Sequence, residues 1–141
     1  MDSYLIFYVG SRTLALPVKE VDRIVPSVAM TPLNEPHPIV AGIIDVEGRG
    51  VLLYDLRPVY GEELSPLKLE HRFILITWQD RPRALWVDGI RDVTQLSTDP
   101  VNLPGSSKKA SMVFQNDRTA ISTTSSEEIM EMAERCGLEL P

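Results

Sequence analysis

One cysteine, two histidines, few basic side chains and no long apolar run set the first limits on this chain of 141 residues. A lone Cys136 cannot close an internal disulfide, which fits a reducing compartment, and the chain is expected in the cytoplasm. The opening apolar run, Tyr4 to Val9, is far too short to cross a bilayer, and Met1-Asp2-Ser3 puts an acid before it rather than a basic region. Neither a signal peptide nor membrane insertion is therefore expected. With 14 basic against 20 acidic residues the net charge is −6, so the basic stripe that phosphate binding requires is missing and nucleic acid is excluded as a partner.

The same scarcity bears on chemistry. His37 is fenced by prolines and His71 stands at the mouth of a strand, and neither belongs to a Cys-x-x-C or His-x-x-x-His spacing that could hold a metal. No G-x-S-x-G elbow, P-loop or dinucleotide fingerprint occurs. Cys136, on one face of a terminal helix, reads as a small buried hydrophobe. No catalytic, cofactor-binding or metal-binding residue is assigned, and no enzyme is expected.

What is present is a soluble, globular composition, 43% hydrophobic and 24% charged, sized for a single domain over residues 1–141. Its apolar segments are short, rich in Val, Ile, Leu, Tyr and Trp, and closely punctuated by turns, which predicts an all-β fold. Tyr4 to Val9 and Arg12 to Leu16 straddle Gly10-Ser11 as a hairpin. Val18 to Val25, between Pro17 and Pro26, spaces Val18, Val21, Ile24 and Val25 for a turn or two of helix. Thr31 to Pro38 carries three prolines and reads as a connector.

Two further hairpins follow. Ile43 to Val46 and Val51 to Tyr54 flank Glu47-Gly48-Arg49-Gly50, whose glycines supply positive φ, and Arg72 to Trp78 with Arg83 to Val87 flank Gln79-Asp80-Arg81-Pro82. Ile90 to Leu96 can continue as a third strand, and Met112 to Gln115 with Thr119 to Thr123 straddle Asn116-Asp117. The halves read alike, as a pseudo-repeat of strand pairs. Ser97 to Lys109 is read as a mobile loop. Ser125-Ser126-Glu127-Glu128 forms a capping box for a helix over about 125–136, with Ile129, Met132, Ala133 and Cys136 on one face. Met1 and that capped helix point to a free-standing chain.

Two acid-and-glycine turns stand out, Tyr54-Asp55-Leu56-Arg57-Pro58 and Val87-Asp88-Gly89-Ile90. In each an aspartate closes an apolar strand; Asp55 can cap the turn that follows while Arg57 reaches a neighbouring carbonyl or acid. Their order and separation, with the apolar opening, the Pro38 to Gly42 approach and the stretches Gly42 to Arg57 and Ala84 to Val93, resemble the CheW-like domain of bacterial chemotaxis. The resemblance implies two small intertwined SH3-like β-barrels with a hydrophobic groove between them. It also implies a scaffold that bridges the cytoplasmic tips of chemoreceptors to the regulatory domain of a CheA-type histidine kinase.

The resemblance places the partner-binding residues at Ile39, Val40, Ile44 and Val46 around the groove, with Asp45, Glu47 and Arg49 setting the charge pattern. Members usually read asparagine-leucine-arginine-glycine where this chain has Asp45-Val46-Glu47-Gly48, and their short helix carries an acid where this chain has Arg23. The two signs are exchanged, so Arg23 and Glu47 are expected to form an ion pair of reversed polarity. An alternative from the same fold is an orphan regulator that has lost receptor–kinase coupling, and a small hydrolase or ligand-binding barrel is a third reading.

Overall fold

The computed structural model describes residues 2–96, 112–114 and 120–137. Among the described residues ten strands form two five-stranded sheets. The first hairpin, β1 (Asp2–Val9) and β2 (Arg12–Pro17), turns at Gly10, where φ is +57°. A single 3-10 turn over Val18–Glu20 follows, and then β3 (Arg23–Pro26). The expected helix over Val18 to Val25 is thus corrected to that turn plus a strand. Ile24 and Val25 are β-branched and find a ladder on β6 (Arg72–Trp78), with Ile24 opposite Ile74, so pairing overrides the weak helical spacing.

The middle of the chain builds the second sheet. β4 (Val40–Val46) and β5 (Arg49–Asp55) turn through Glu47 and Gly48, whose φ values of 51° and 82° mark a type I′ turn. The positive φ therefore falls on Glu47 and Gly48, while Arg49 and Gly50 belong to β5. β6 and β7 (Arg81–Val87) are joined the same way by Gln79 and Asp80, with φ of 52° and 60° and no glycine. A four-residue helix α1 (Leu56–Val59) follows β5.

The chain then returns to the first sheet. β8 (Gly89–Leu96) continues from β7, but its partner is β1, so the third strand expected after the second hairpin lies in the other sheet. β9 (Met112–Phe114) and β10 (Ala120–Thr123) pair antiparallel, and α2 (Ser126–Gly137) follows. The sheet orders are β8-β1-β2-β10-β9 and β3-β6-β7-β5-β4. Each sheet has one parallel seam, β2 on β10 and β7 on β5, in the same place among antiparallel pairs. The pseudo-repeat is real, but the first sheet takes its strands from both sides of the second, which is drawn from the consecutive strands β3 to β7. Ser97 to Lys109 and Asn116-Asp117 lie outside the described residues.

The main core mixes both sheets and α2. Phe7, Leu14 and Leu16 from the first sheet meet Tyr54, Ile74, Leu85 and Val87 from the second, with Ile129, Met130 and Ala133 of α2 closing it. Full burial of such a side chain is worth about 1.5–3 kcal/mol, so this shared core is a strong tie between the two sheets. The α2 cap forms as expected at Ser125, whose Oγ accepts the Glu128 N–H at 3.0 Å. Glu20 from the 3-10 turn adds a second anchor by accepting the Ser126 N–H at 2.8 Å, and the Trp78 indole donates to Glu127 at 3.1 Å. Cys136 is exposed rather than buried, because the inner face of α2 is made by Ile129, Met130 and Ala133.

Candidate protein-binding groove

The β4–β5 hairpin owes its shape to two short-range devices. Asp45 accepts the Gly48 N–H at 2.8 Å, which closes the turn from the side chain, and Gly48 takes the left-handed conformation with no atom near its missing Cβ. Gly42 serves a different need. A Cβ there would lie 2.5 Å from the Thr31 carbonyl oxygen, so only glycine lets the proline-rich connector bridge to β4 through paired Thr31 and Ile43 hydrogen bonds at 2.8 Å.

Between this hairpin and β3 runs a groove of about 130 Å³. Val25, Pro26 and Val28 form one wall, Ile44 and Val46 line the other side, and Arg23, Asp45 and Glu47 sit at its rim. Arg23 Nη1 donates to Glu47 Oε1 at 2.7 Å, with the side chains 49% and 77% exposed. A pair this open to water adds at most about 1 kcal/mol to folding.

Not every residue expected at the site is there. Ile39 and Val40 are each 2% exposed and belong to the main core, so neither can present its side chain to a partner. Two sets of bonds draw the segment inward: the Asp55 N–H, from the end of β5, donates to the Ile39 carbonyl, and the neighbouring His37 Nδ1 accepts the N–H groups of Ile39 and Val40 at 3.0 Å. Ile44, 1% exposed, belongs to the core of the second sheet and lies beneath the groove, so by the same measure it offers a partner almost no surface. Arg49 begins β5, opposite Val46, and is exposed outside the groove lining.

A second polar cluster lies where β7 crosses to β8. Asp55 caps α1 by accepting the Arg57 N–H at 3.1 Å and takes a forked pair of bonds from the Arg57 guanidinium at 2.9 and 3.1 Å. Arg57 is 1% exposed, lies 4.2 Å over the Trp86 ring, and brings Nη1 to 3.5 Å from Asp88. Asp88 accepts the Gly10 N–H and donates its own N–H to the Tyr8 carbonyl, tying both sheets together. His71, 2% exposed, completes the cluster and takes the Trp86 indole N–H at 2.9 Å. Its pKa is lowered, first by burial and then by Arg57, against an opposing pull from Asp88.

The roles of Asp55 and Arg57 match the strand-closing device read from the sequence. His71 was missed as a member of it. The signal was available in the register: with Gln79-Asp80 as the turn, Arg72 faces Val87, and one step further His71 faces Asp88. Among the described residues, no group of three or more His, Cys, Asp or Glu is placed to hold a metal, and no helix is long and apolar enough to cross a membrane.

Comparison with known proteins agrees with this architecture. A structure similar to this one is the scaffolding protein TtCheW from Thermoanaerobacter tengcongensis, with a TM-score of 0.73 at 19% identity over 86% of this chain and 87% of that one. At that identity the likeness speaks for the fold. Comparison with curated proteins gave no match. The profile of the CheW-like domain matches residues 3–134, nearly the whole described fold, and the chain belongs to the CheW-like domain family.

Proposed function

We propose that this protein is a non-catalytic cytoplasmic adaptor that couples chemoreceptors to the regulatory domain of a CheA-type histidine kinase. The observation that carries the reading is the groove beside the β4–β5 hairpin, on a chain of the CheW-like family. Its apolar walls can take side chains from a partner, and its charged rim can set the partner's orientation. Asp45, Val46 and Glu47, with Arg23 across the groove and Arg49 beside it, are the residues assigned to partner binding, over a floor set by the buried Ile44.

A second reading is favoured by Glu47 itself. Where the family resemblance calls for arginine, this chain puts an acid paired with Arg23, so an orphan regulator with a different protein partner remains the alternative. The test measures binding of the full chain to a receptor cytoplasmic hairpin and to a kinase regulatory domain from the same cell. Val28→Trp fills the groove and should weaken binding about tenfold or more, the size of a hot-spot loss, while Val93→Trp on the exposed face of β8 should not. Failure of both fragments to bind would pass the argument to the orphan regulator.

A further inference from the structure

We infer that His71 is a neutral pin in the joint between the two sheets, and that a second proton on its ring opens that joint. Two donors converge on His71 Nδ1: the Trp86 indole N–H at 2.9 Å and the Lys68 backbone N–H at 3.2 Å. A ring nitrogen that accepts hydrogen bonds carries no proton, so the imidazole hydrogen is on Nε2, which faces Asp88 Oδ1 at 3.4 Å. Protonation can only add a hydrogen at Nδ1, where two N–H groups already point. The ring must then give up both bonds or leave its place.

The charged surroundings do not rescue the cation where it stands. Asp88 faces Nε2 from the β7–β8 crossing, but its carboxylate is already engaged by the Gly10 N–H and lies 3.5 Å from Arg57 Nη1. Arg57 on α1 brings a fixed positive charge, balanced in part by Asp55 at the end of β5. Glu70 and Lys68, on the segment leading into His71, pull in opposite directions. When the ring lets go, the Trp86 indole loses its acceptor and Asp88 loses one of the groups that hold it against β1. Asp88 is the polar link in that joint, bonded to the first sheet through Gly10 and the Tyr8 carbonyl beside the shared apolar core.

The sign of the pH dependence follows. Burial lowers the His71 pKa in the folded state from its ordinary 6.5, so on acidification the unfolded chain takes up the proton first. The stabilising contribution is complete above 6.5 and is lost as the pH falls through the folded value.

The test is a pH titration of the full chain by nitrogen-15 NMR, which is simple to assign because His37 is the other of just two histidines. Expected are an Nε2–H tautomer for His71 at neutral pH, a midpoint below 6.5, and a Trp86 indole resonance that shifts with the same midpoint. His71→Asn, which offers an acceptor oxygen but cannot titrate, should abolish the indole shift, and His37→Asn should leave it. An Nδ1–H tautomer, a second proton taken up with the Trp86 indole unmoved, or an indole transition that survives His71→Asn would overturn the inference. Should His71→Asn not fold, the tautomer and the co-titration in the unmodified chain decide alone.

Discussion

Arg57 and Arg23 each meet a carboxylate at close range, 2.9 Å to Asp55 and 2.7 Å to Glu47, and the resemblance ends there. The Arg57 side chain is 2% exposed, forked onto Asp55, stacked on Trp86 and within reach of Asp88. Arg23 lies half in water with a single contact to a side chain that is mostly solvated. In the first place the charges have given up hydration and depend on one another, so loss of either partner strands a buried ion. In the second, water replaces whatever is removed. One pair is locked inside the fold beside Asp88; the other stays open to water at the rim of the groove.

The sharpest way to break this comparison is Arg57→Ala. It leaves Asp55 and Asp88 without their cation inside the joint and should cost about 3–5 kcal/mol in urea unfolding. A loss below about 1 kcal/mol would place Arg57 in the same class as Arg23 and dissolve the contrast. A smaller effect is expected from Gly42→Ala, where the added Cβ meets the Thr31 carbonyl oxygen. Prying the connector off β4 should cost about 1–3 kcal/mol and should loosen the groove wall, visible as faster amide exchange at Thr31 and Ile43.

The smallest effect on folding is expected at the rim. Arg23→Glu or Glu47→Arg alone should change unfolding free energy by at most about 1 kcal/mol, and less still at high salt. Each should nevertheless weaken partner binding, and the double reversal should recover much of the loss, because the pair is restored with its ends exchanged. Additive losses in that cycle would uncouple the two residues.

Local chemistry made much of this legible. The Asp55 cap, the Gly10 turn and the Ser125 cap each act within a few residues, so the sequence alone placed them. Where distant pairing competes with local spacing, reading along the chain failed: β3 looks helical until β6 lies beside it, and β8 looks like a neighbour of β7 until β1 claims it. The groove divided along the same line. Asp45, Val46 and Glu47 sit on a hairpin whose register fixes which way they face. Ile39 and Val40 had no such guide, because their burial depends on the Asp55 N–H, which joins the connector to the core from the far end of the hairpin, as well as on the nearby His37.

The interleaving of the two sheets governs how the chain can acquire its shape during synthesis. β1 and β2 emerge first and can close as a hairpin, but the strand that flanks β1 does not arrive until Gly89–Leu96, and the one beside β2 not until Ala120–Thr123. Throughout that interval β1 and β2 both carry an open edge, the kind of template that pairs with other chains. The second sheet, by contrast, is drawn entirely from residues 23–87 and can assemble while the first waits. Sequence-distant pairing of this sort slows folding. A nascent chain stopped just after β7 would therefore present a paired second sheet whose main core still lacks α2, beside a hairpin with both edges open.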